Sequence, residues 1–474
     1  MNQLIGRTEE QDKLTQYMQS GKAEFVAVYG RRRVGKTFLI DSFFKCNYAF
    51  STSGIIGGKK EEEVEAFYTS LVMYGYKKSC PKTWMGLFSA LRELLTEKLK
   101  RGKKRCVIFI DELPCFDTTK SGFIHALDYF WNSWASKQNR IFFIICGSAT
   151  SWIMRNIINN HGGLHNRLTH EIRLHPFTLR ETEIYLKSKG ARWSRLNILH
   201  IYMALGGIPY YLSLLNVKLS PAINIDQLFF SEDAELKQEY NRLYASLFKN
   251  PEHYINVVET LAKCQSGISR KELAEKLKLK DNGHFGNVLS DLENCGFIRQ
   301  YNTFSKVTKV NGGLYQIIDF FTIFYLTFAK QKSTNTHFWS DGLLSPKQNN
   351  WYGLAFERVC MAHIKQIKKA LGIDRIHSEY YSWRSKDSEH GAQIDLVIDR
   401  ADNICNICEM KYSHGLYSLK KNEYFKIINR GNVFQEESAT KNGIQFVIIT
   451  TFGLTENLYS NLAQHTVNLN DIFN

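Results

Sequence analysis

The residues whose types and spacing could do chemistry fall in two groups, far apart in the 474-residue chain. The first is Gly30-Arg31-Arg32-Arg33-Val34-Gly35-Lys36-Thr37, a GxxxxGK[ST] run. Its glycines let backbone N–H groups turn inward around phosphates. Lys36 would reach the β- and γ-phosphates of ATP, and the Thr37 hydroxyl would ligate Mg²⁺. The second group is Asp395, Glu409 and Lys411, with Glu357 upstream. Asp395 and Glu409 are hard oxygen donors suited to Mg²⁺. Lys411 would position a metal-bound water against a phosphodiester.

The first group needs a strand before it and a helix after it. Glu24–Tyr29 reads as a buried strand, and the apolar run from Phe38 to Phe44 reads as a helix whose dipole favours anions. A second apolar strand, Cys106–Ile110, ends in Asp111-Glu112. That is the Walker B pattern: Asp111 for the metal shell, Glu112 to orient or deprotonate water. A third strand, Arg140–Cys146, ends in Gly147-Ser148, so Ser148 could touch the γ-phosphate or the water. Residues 84–100 look helical. Strands alternating with helices predict a parallel α/β sheet with the site at the carboxyl ends of the strands. Arg31, Arg32 and Arg33 read as solvated charges on the loop's outer face, or as one residue positioning phosphate or a partner subunit.

These motifs, with Ile5-Gly6-Arg7-Thr8-Glu9-Glu10, resemble the archaeal-type ATPases, a part of the signal-transducing (STAND) group of AAA-like P-loop NTPases. The resemblance covers at least residues 1–215. It implies that Gly6 and Arg7 lie near an adenine pocket, with Glu9 or Glu10 in the acidic place. It makes Arg167 a γ-phosphate sensor or arginine finger; a plain surface arginine is the alternative. It makes Gly207-Ile208-Pro209 a nucleotide-contacting lid element, where a helix C-cap and turn is the alternative.

Residues 246–345 read as a smaller module plus a linker. His253–Cys264 is amphipathic, Ser269 and Glu272 form a capping box, and a further helix spans His284–Asn294. Two strand-like pieces flank Asn311-Gly312-Gly313. The order resembles a winged helix-turn-helix. Its would-be recognition helix offers only His284 and Asn287 for base contacts, with Lys306 and Lys309 in the wing for phosphates. A structural or relay role is therefore expected over sequence-specific DNA reading. The polar stretch 331–350 reads as a linker.

The last part, residues 346–474, must bring the second group together. Ile394–Ile398 and Ile404–Lys411 read as strands joined by the turn at Arg400–Asn403, so Asp395 and Glu409 can lie on neighbouring strands. Glu409 and Lys411, two apart, share a face. Leu354, Cys360, Met361 and Ile364 predict an apolar helix stripe with Glu357 inside it. A carboxylate there is costly unless it ligates something or is paired, for instance with Lys365. Helix Glu357, strand Asp395, thirteen residues, then Glu409-x-Lys411 resemble the PD-(D/E)xK nucleases. That resemblance implies a restriction-endonuclease-like α/β domain acting on DNA or other nucleic acid.

Composition sets the outer limits. Hydrophobic residues make up 44% and charged residues 23%, as in an ordinary globular protein. The N-terminus is no secretory signal, and the apolar run Ile317–Ala329 is too short for a bilayer and carries Asp319. The ten cysteines are scattered, so a cytoplasmic protein with reduced thiols and no membrane partner is expected. The net charge of +15 sits in the N-terminal half: 35 basic against 23 acidic residues in 1–250, 11 against 9 in 251–345, and 15 against 14 in 346–474. The combined expectation is an ATP-hydrolysing switch (residues 1–245, with a helical lid) joined to a metal-dependent nuclease-like domain. The alternatives are an ATP-gated DNA-binding regulator with a non-cutting tail, and an assembly protein whose output is a homo-oligomer.

Overall fold

A computed structural model describes residues 4–158, 167–264, 267–301, 313–331, 334–385 and 392–474. The N-terminal sheet has five parallel strands: β1 (Glu24–Tyr29), β2 (Phe50–Ser53), β3 (Cys106–Asp111), β4 (Ile141–Gly147) and β5 (His170–Arg173). Their order is β2-β3-β4-β1-β5. Strands β1, β3 and β4 are buried along their whole length, as near-continuous apolar runs should be in a sheet covered on both faces. One consequence is functional. Strand β4 lies between β1, which leads into the phosphate loop, and β3, which ends at Asp111, so its tip at Gly147-Ser148 lies between the two. The helices from Leu179 to Leu247 occupy the region expected as a lid.

A three-stranded antiparallel sheet follows, ordered β6-β8-β7 from β6 (Ile268–Ser269), β7 (Ile298–Tyr301) and β8 (Leu314–Ile317). It packs with helices Pro251–Ala262, Arg270–Lys276 and Gly283–Asn294. The predicted Ser269–Glu272 capping box is present. Lys306 and Lys309 fall outside the described residues.

The C-terminal sheet, ordered β13-β12-β11-β10-β9, is mixed. Strands β9 (Ser378–Arg384), β10 (Gln393–Arg400) and β11 (Ile404–Lys411) are antiparallel; β11, β12 (Gly443–Thr450) and β13 (His465–Val467) are parallel. The parallel β11–β12 step needs a crossover, and helix Lys421–Ser438 provides it. Helix Pro346–Ala362 packs against β11.

Two expectations are corrected here. The stretch 331–350 is not a free linker where it is described. Trp339 is fully buried, its N–H donates to Asp226 at 2.7 Å, and the Gln348 amide donates to its carbonyl at 2.8 Å. A large indole in a polar run is enough to dock the run against the lid. The helix stripe also differs. The buried face is Tyr352, Ala355, Phe356, Val359 and Cys360; Leu354 and Met361 are half-buried, and the helix ends at Ala362, before Ile364. All ten cysteines are unpaired. Among the described residues no helix is long and apolar enough to cross a membrane. One hydrophobic core runs from Val26 and Ile40 through the lid and the middle module to Val359, Leu396 and Ile449.

Candidate functional site

The phosphate loop connects β1 to helix Lys36–Phe44. Gly30 takes φ 149° and Gly35 φ 87°. A Cβ on Gly30 would stand 2.2 Å from the Leu174 carbonyl oxygen, so only glycine fits. Lys36 is buried, and its Nζ donates to the Gly30 and Arg31 carbonyls at 3.0 Å each. The Thr37 hydroxyl donates to Asp111 Oδ2 at 2.8 Å, and the Glu112 N–H donates to Asp111 Oδ1 at 2.9 Å. Thr37 and Asp111 thus bring hard oxygen atoms together across the mouth of the sheet, a donor set that suits Mg²⁺. Glu112 sits at φ 43°, a left-handed conformation unusual for a side-chain-bearing residue. Its carboxylate accepts from the Ser148 hydroxyl at 3.0 Å and from the Ser148 N–H at 3.1 Å. The partner of Ser148 is therefore Glu112.

A cavity of about 590 Å³ opens over this loop. Arg32, Arg33, Val34, Gly35, Lys36, Thr37 and Phe38 line one side, with Glu112 and Ser148 at its acidic end. Ile5, Arg7 and Pro209 also line it, whereas Gly6 contacts Glu181 and shapes the turn. Arg7 donates to the Val34 carbonyl at 3.0 Å and lies over the Phe177 ring, with Glu10 at 3.8 Å. Burial lowers the pKa of Arg7 and raises that of Glu10. Leu4 and, from the lid, Tyr185, Lys189 and Tyr210 also line the walls. Sequence reasoning missed these lid residues; only the adjacency of Tyr210 to Pro209 signals any of them. Five cationic residues line the cavity with a single carboxylate, a balance that suits a polyanion.

Three expectations need revision. Arg31 and Arg33 are not solvated. Arg31 is buried and pairs with Asp319 at 2.7 Å, and Arg33 pairs with Glu239 at 2.8 Å over the Tyr210 ring. Their guanidinium groups point to the lid and the middle module, so of Arg31 only the loop backbone is free to meet a ligand. Arg167 is exposed and is not among the residues lining the cavity. The Gly207 constraint is close approach: a Cβ there would meet the Phe177 carbonyl oxygen at 1.9 Å, while the neighbouring Gly206 is the helix C-cap.

The tail residues also come together. The β10–β11 register pairs Leu396 with Cys408; extended by one residue, it sets Asp395 opposite Glu409. Glu409 Oε1 accepts from Lys411 and Oε2 from Arg430, both at 2.8 Å. Arg430, on the crossover helix, carried no motif signal. Asp395 accepts from the Gln393 amide at 3.3 Å. Burial, then the charge of Asp395, pushes the Glu357 carboxyl up to about 8. Burial and Glu409 raise the pKa of Asp395. Burial opposes the charge on Lys411, but Glu409 outweighs it and the pKa rises. The four residues therefore share one electrostatic neighbourhood, and among the described residues no ion pair joins Glu357 to Lys365. They do not form a ready metal cage. Both Glu409 oxygens are engaged by cations, and among the described residues no three His, Cys, Asp or Glu side chains converge as metal ligands.

Residues 4–215 match the model of an ATPase domain found predominantly in Archaea. An uncharacterized protein of Methanocaldococcus jannaschii is 23% identical over 402 residues, covering 83% of this chain and 84% of its own. A Walker-type ATPase of Pyrococcus abyssi is similar with TM-score 0.48 and 17% identity over 68% of this chain and 96% of that one. A STAND protein with a tetratricopeptide repeat sensor from Pyrococcus horikoshii is similar with TM-score 0.32 and 14% identity, covering 79% of this chain and 52% of that one. Residues 4–215 of this chain are thus similar to an ATPase domain found predominantly in Archaea.

Proposed function

We propose that this chain is an ATP-hydrolysing switch whose output is a nuclease-like tail acting on nucleic acid. The observation that carries the first half is the junction of Lys36, Thr37, Asp111, Glu112 and Ser148 around one cationic cavity. Backbone N–H groups of the loop and the N-terminus of helix Lys36–Phe44 would hold the phosphates. Lys36, now satisfied by loop carbonyls, would turn to the β- and γ-phosphates. Thr37 and Asp111 would hold Mg²⁺, which when bound neutralises phosphate charge. Glu112 would accept the proton of the attacking water, oriented for it by Ser148. Exposure of Arg167 outside its own cavity favours action on a neighbouring copy. The Lys36→Ala protein should retain its fold and lose ATP hydrolysis; undiminished turnover would refute the assignment.

The middle module is proposed as a winged-helix relay. Its helix Gly283–Asn294 is engaged by the ATPase side. Arg155 pairs with Asp291 at 2.7 Å, Ser151 donates to the Asp291 carbonyl, and Arg173 donates to the Asn294 carbonyl. A helix so engaged supports relay over base reading, although His284 and Asn287 remain exposed. For the tail, the co-location of Glu357, Asp395, Glu409 and Lys411 supports a nuclease-like reading. The engagement of Glu409 by Lys411 and Arg430 favours the second reading, a nucleic-acid-binding tail that does not cut. DNA and RNA incubated with Mg²⁺ or Mn²⁺, with and without ATP, separate the two. Cleavage abolished in Asp395→Ala supports the first; binding without cleavage in every condition supports the second.

A further inference from the structure

We propose that the Arg31–Asp319 ion pair is a latch by which the phosphate loop holds the middle module over the tail's carboxylate cluster, and that phosphates entering the loop release it. The inference rests on the reading that nucleotide occupies the loop. It starts from a carboxylate in an apolar setting. Asp319 lies among Phe320, Phe321, Ile323 and Phe324, all buried, and a charge there needs a partner. The partner comes from 288 residues away, out of the phosphate loop itself. Arg31 Nη2 meets Asp319 Oδ2 at 2.7 Å, and its guanidinium lies near the rings of Tyr211, in the lid, and Phe297, in the middle module. Burial opposes the charge on Arg31, and Asp319 overcomes it, so the pKa of Arg31 is raised.

Both ends of this latch lead somewhere. On the loop side, the Arg31 carbonyl accepts from Lys36 Nζ at 3.0 Å. Lys36 is the residue that phosphates would attract, so the group that senses the ligand already holds the backbone of the latch residue. On the module side, Asp319 caps helix Phe320–Phe324, accepting from the Thr322 N–H and hydroxyl, and its own N–H donates to the Phe297 carbonyl. Phe297 precedes β7, which pairs with β8 from Ile298↔Ile317 to Tyr301↔Leu314. Displacement of Asp319 must therefore carry β7 with it.

Leu314, the β8 partner of Tyr301 at the far end of β7, faces the tail. A cleft of about 840 Å³ has one wall from the middle module (Ile268, Glu272, Leu314) and the other from the tail (Arg384, Ser385, Gln393). Arg384 donates to Gln393 at 3.2 Å, and Gln393 donates to Asp395. Tyr301, at the end of β7, is close enough to Arg384 and Asp395 to feel both charges. In this arrangement the module stands beside the cluster while Lys411 and Arg430 occupy Glu409. The mismatch between the tail residues and a metal cage is then that of a restrained state, with the loop as its release.

Hydrogen–deuterium exchange on the full chain tests this without relying on cleavage. Asp319→Asn keeps the helix cap and removes the charge. It should raise exchange of Ile298–Tyr301 and of Gln393–Asp395 about tenfold or more without nucleotide, as should a non-hydrolysable ATP analogue with Mg²⁺ on the unsubstituted protein. Unchanged protection in Asp319→Asn, or an analogue effect equally large in that variant and in the unsubstituted protein, overturns the latch. If Asp319→Asn does not fold, Arg31→Lys, which keeps the charge and loses the fork, should give an intermediate increase, and no increase overturns the proposal. An analogue that leaves residues 30–37 unprotected refutes the nucleotide reading while the Asp319→Asn comparison still decides the latch.

Discussion

The chemistry proposed for the N-terminal domain converges on Glu112. It is held in a left-handed backbone conformation at the end of β3, and both its oxygens accept from Ser148. Strain of this kind costs on the order of 1–3 kcal/mol and persists where the surroundings impose it. Glu112→Gln keeps the shape and removes the proposed base. It should lower ATP turnover by about 10²–10⁴-fold with nucleotide affinity retained, as read by steady-state hydrolysis beside equilibrium binding. Equal losses in both would assign Glu112 to binding. The clustering of Thr37, Asp111 and Glu112 was legible in the sequence because each sits at a strand end or loop whose geometry its neighbours dictate. The contact of Ser148 with Glu112 was not, because it depends on the packing of β4 against β3.

At the scale of elements, two joints carry the architecture. The segment from Thr178 to Pro209 is closed by Gly207, whose O accepts from the Phe177 N–H at 2.6 Å. Gly207→Ala forces a methyl into the Phe177 carbonyl and should destabilise the lid strongly, with weaker nucleotide binding in a direct titration. A normal melting temperature would show that the lid can shift to admit it. The other joint is Trp339, buried beside Phe324, Phe328 and Tyr352. Trp339→Ala should cost about 3–5 kcal/mol in denaturant unfolding. The stretch 331–350 that contains it is polar and turn-rich as a whole, which is why a linker was expected. Composition averages over a window, whereas docking is decided by one large side chain with a socket waiting for it.

Across the whole molecule, the lid and the tail meet through buried histidines. His363 accepts from the Leu179 N–H at 3.0 Å and lies 2.8 Å from the Val359 carbonyl, which requires the neutral ring protonated on Nδ1. Burial drops its pKa to about 4. His200, against Tyr412 and Tyr352, is likewise lowered to about 4 by burial, with His414 adding to it. A group held neutral in the fold loses nothing above the unfolded pKa near 6.5. As pH falls from there towards 4, the unfolded chain takes up the proton first, so stability declines by about 3 kcal/mol for His363. His363→Gln retains the acceptor for Leu179 and should flatten the fall in melting temperature between pH 6.5 and 4. A slope equal to that of the unsubstituted protein would place the acid sensitivity elsewhere.

The sequence by itself determined the parallel α/β ATPase core and the strand-end placement of its residues. It also put Asp395 and Glu409 on neighbouring strands, because two apolar strands joined by a short turn pair locally; their cross-strand register came from the structure. What only the tertiary structure decided lies at longer range. Three consecutive arginines look alike in a loop, yet Arg31 finds Asp319, Arg33 finds Glu239, and Arg32 faces the cavity. Glu409 finds Arg430 on a helix with no motif. Such pairings are set by which elements pack together, and the energy that selects them is the cost of leaving a buried charge alone. No local pattern encodes that choice, which is why the phosphate loop was legible as a site and its connection to the rest of the chain was not.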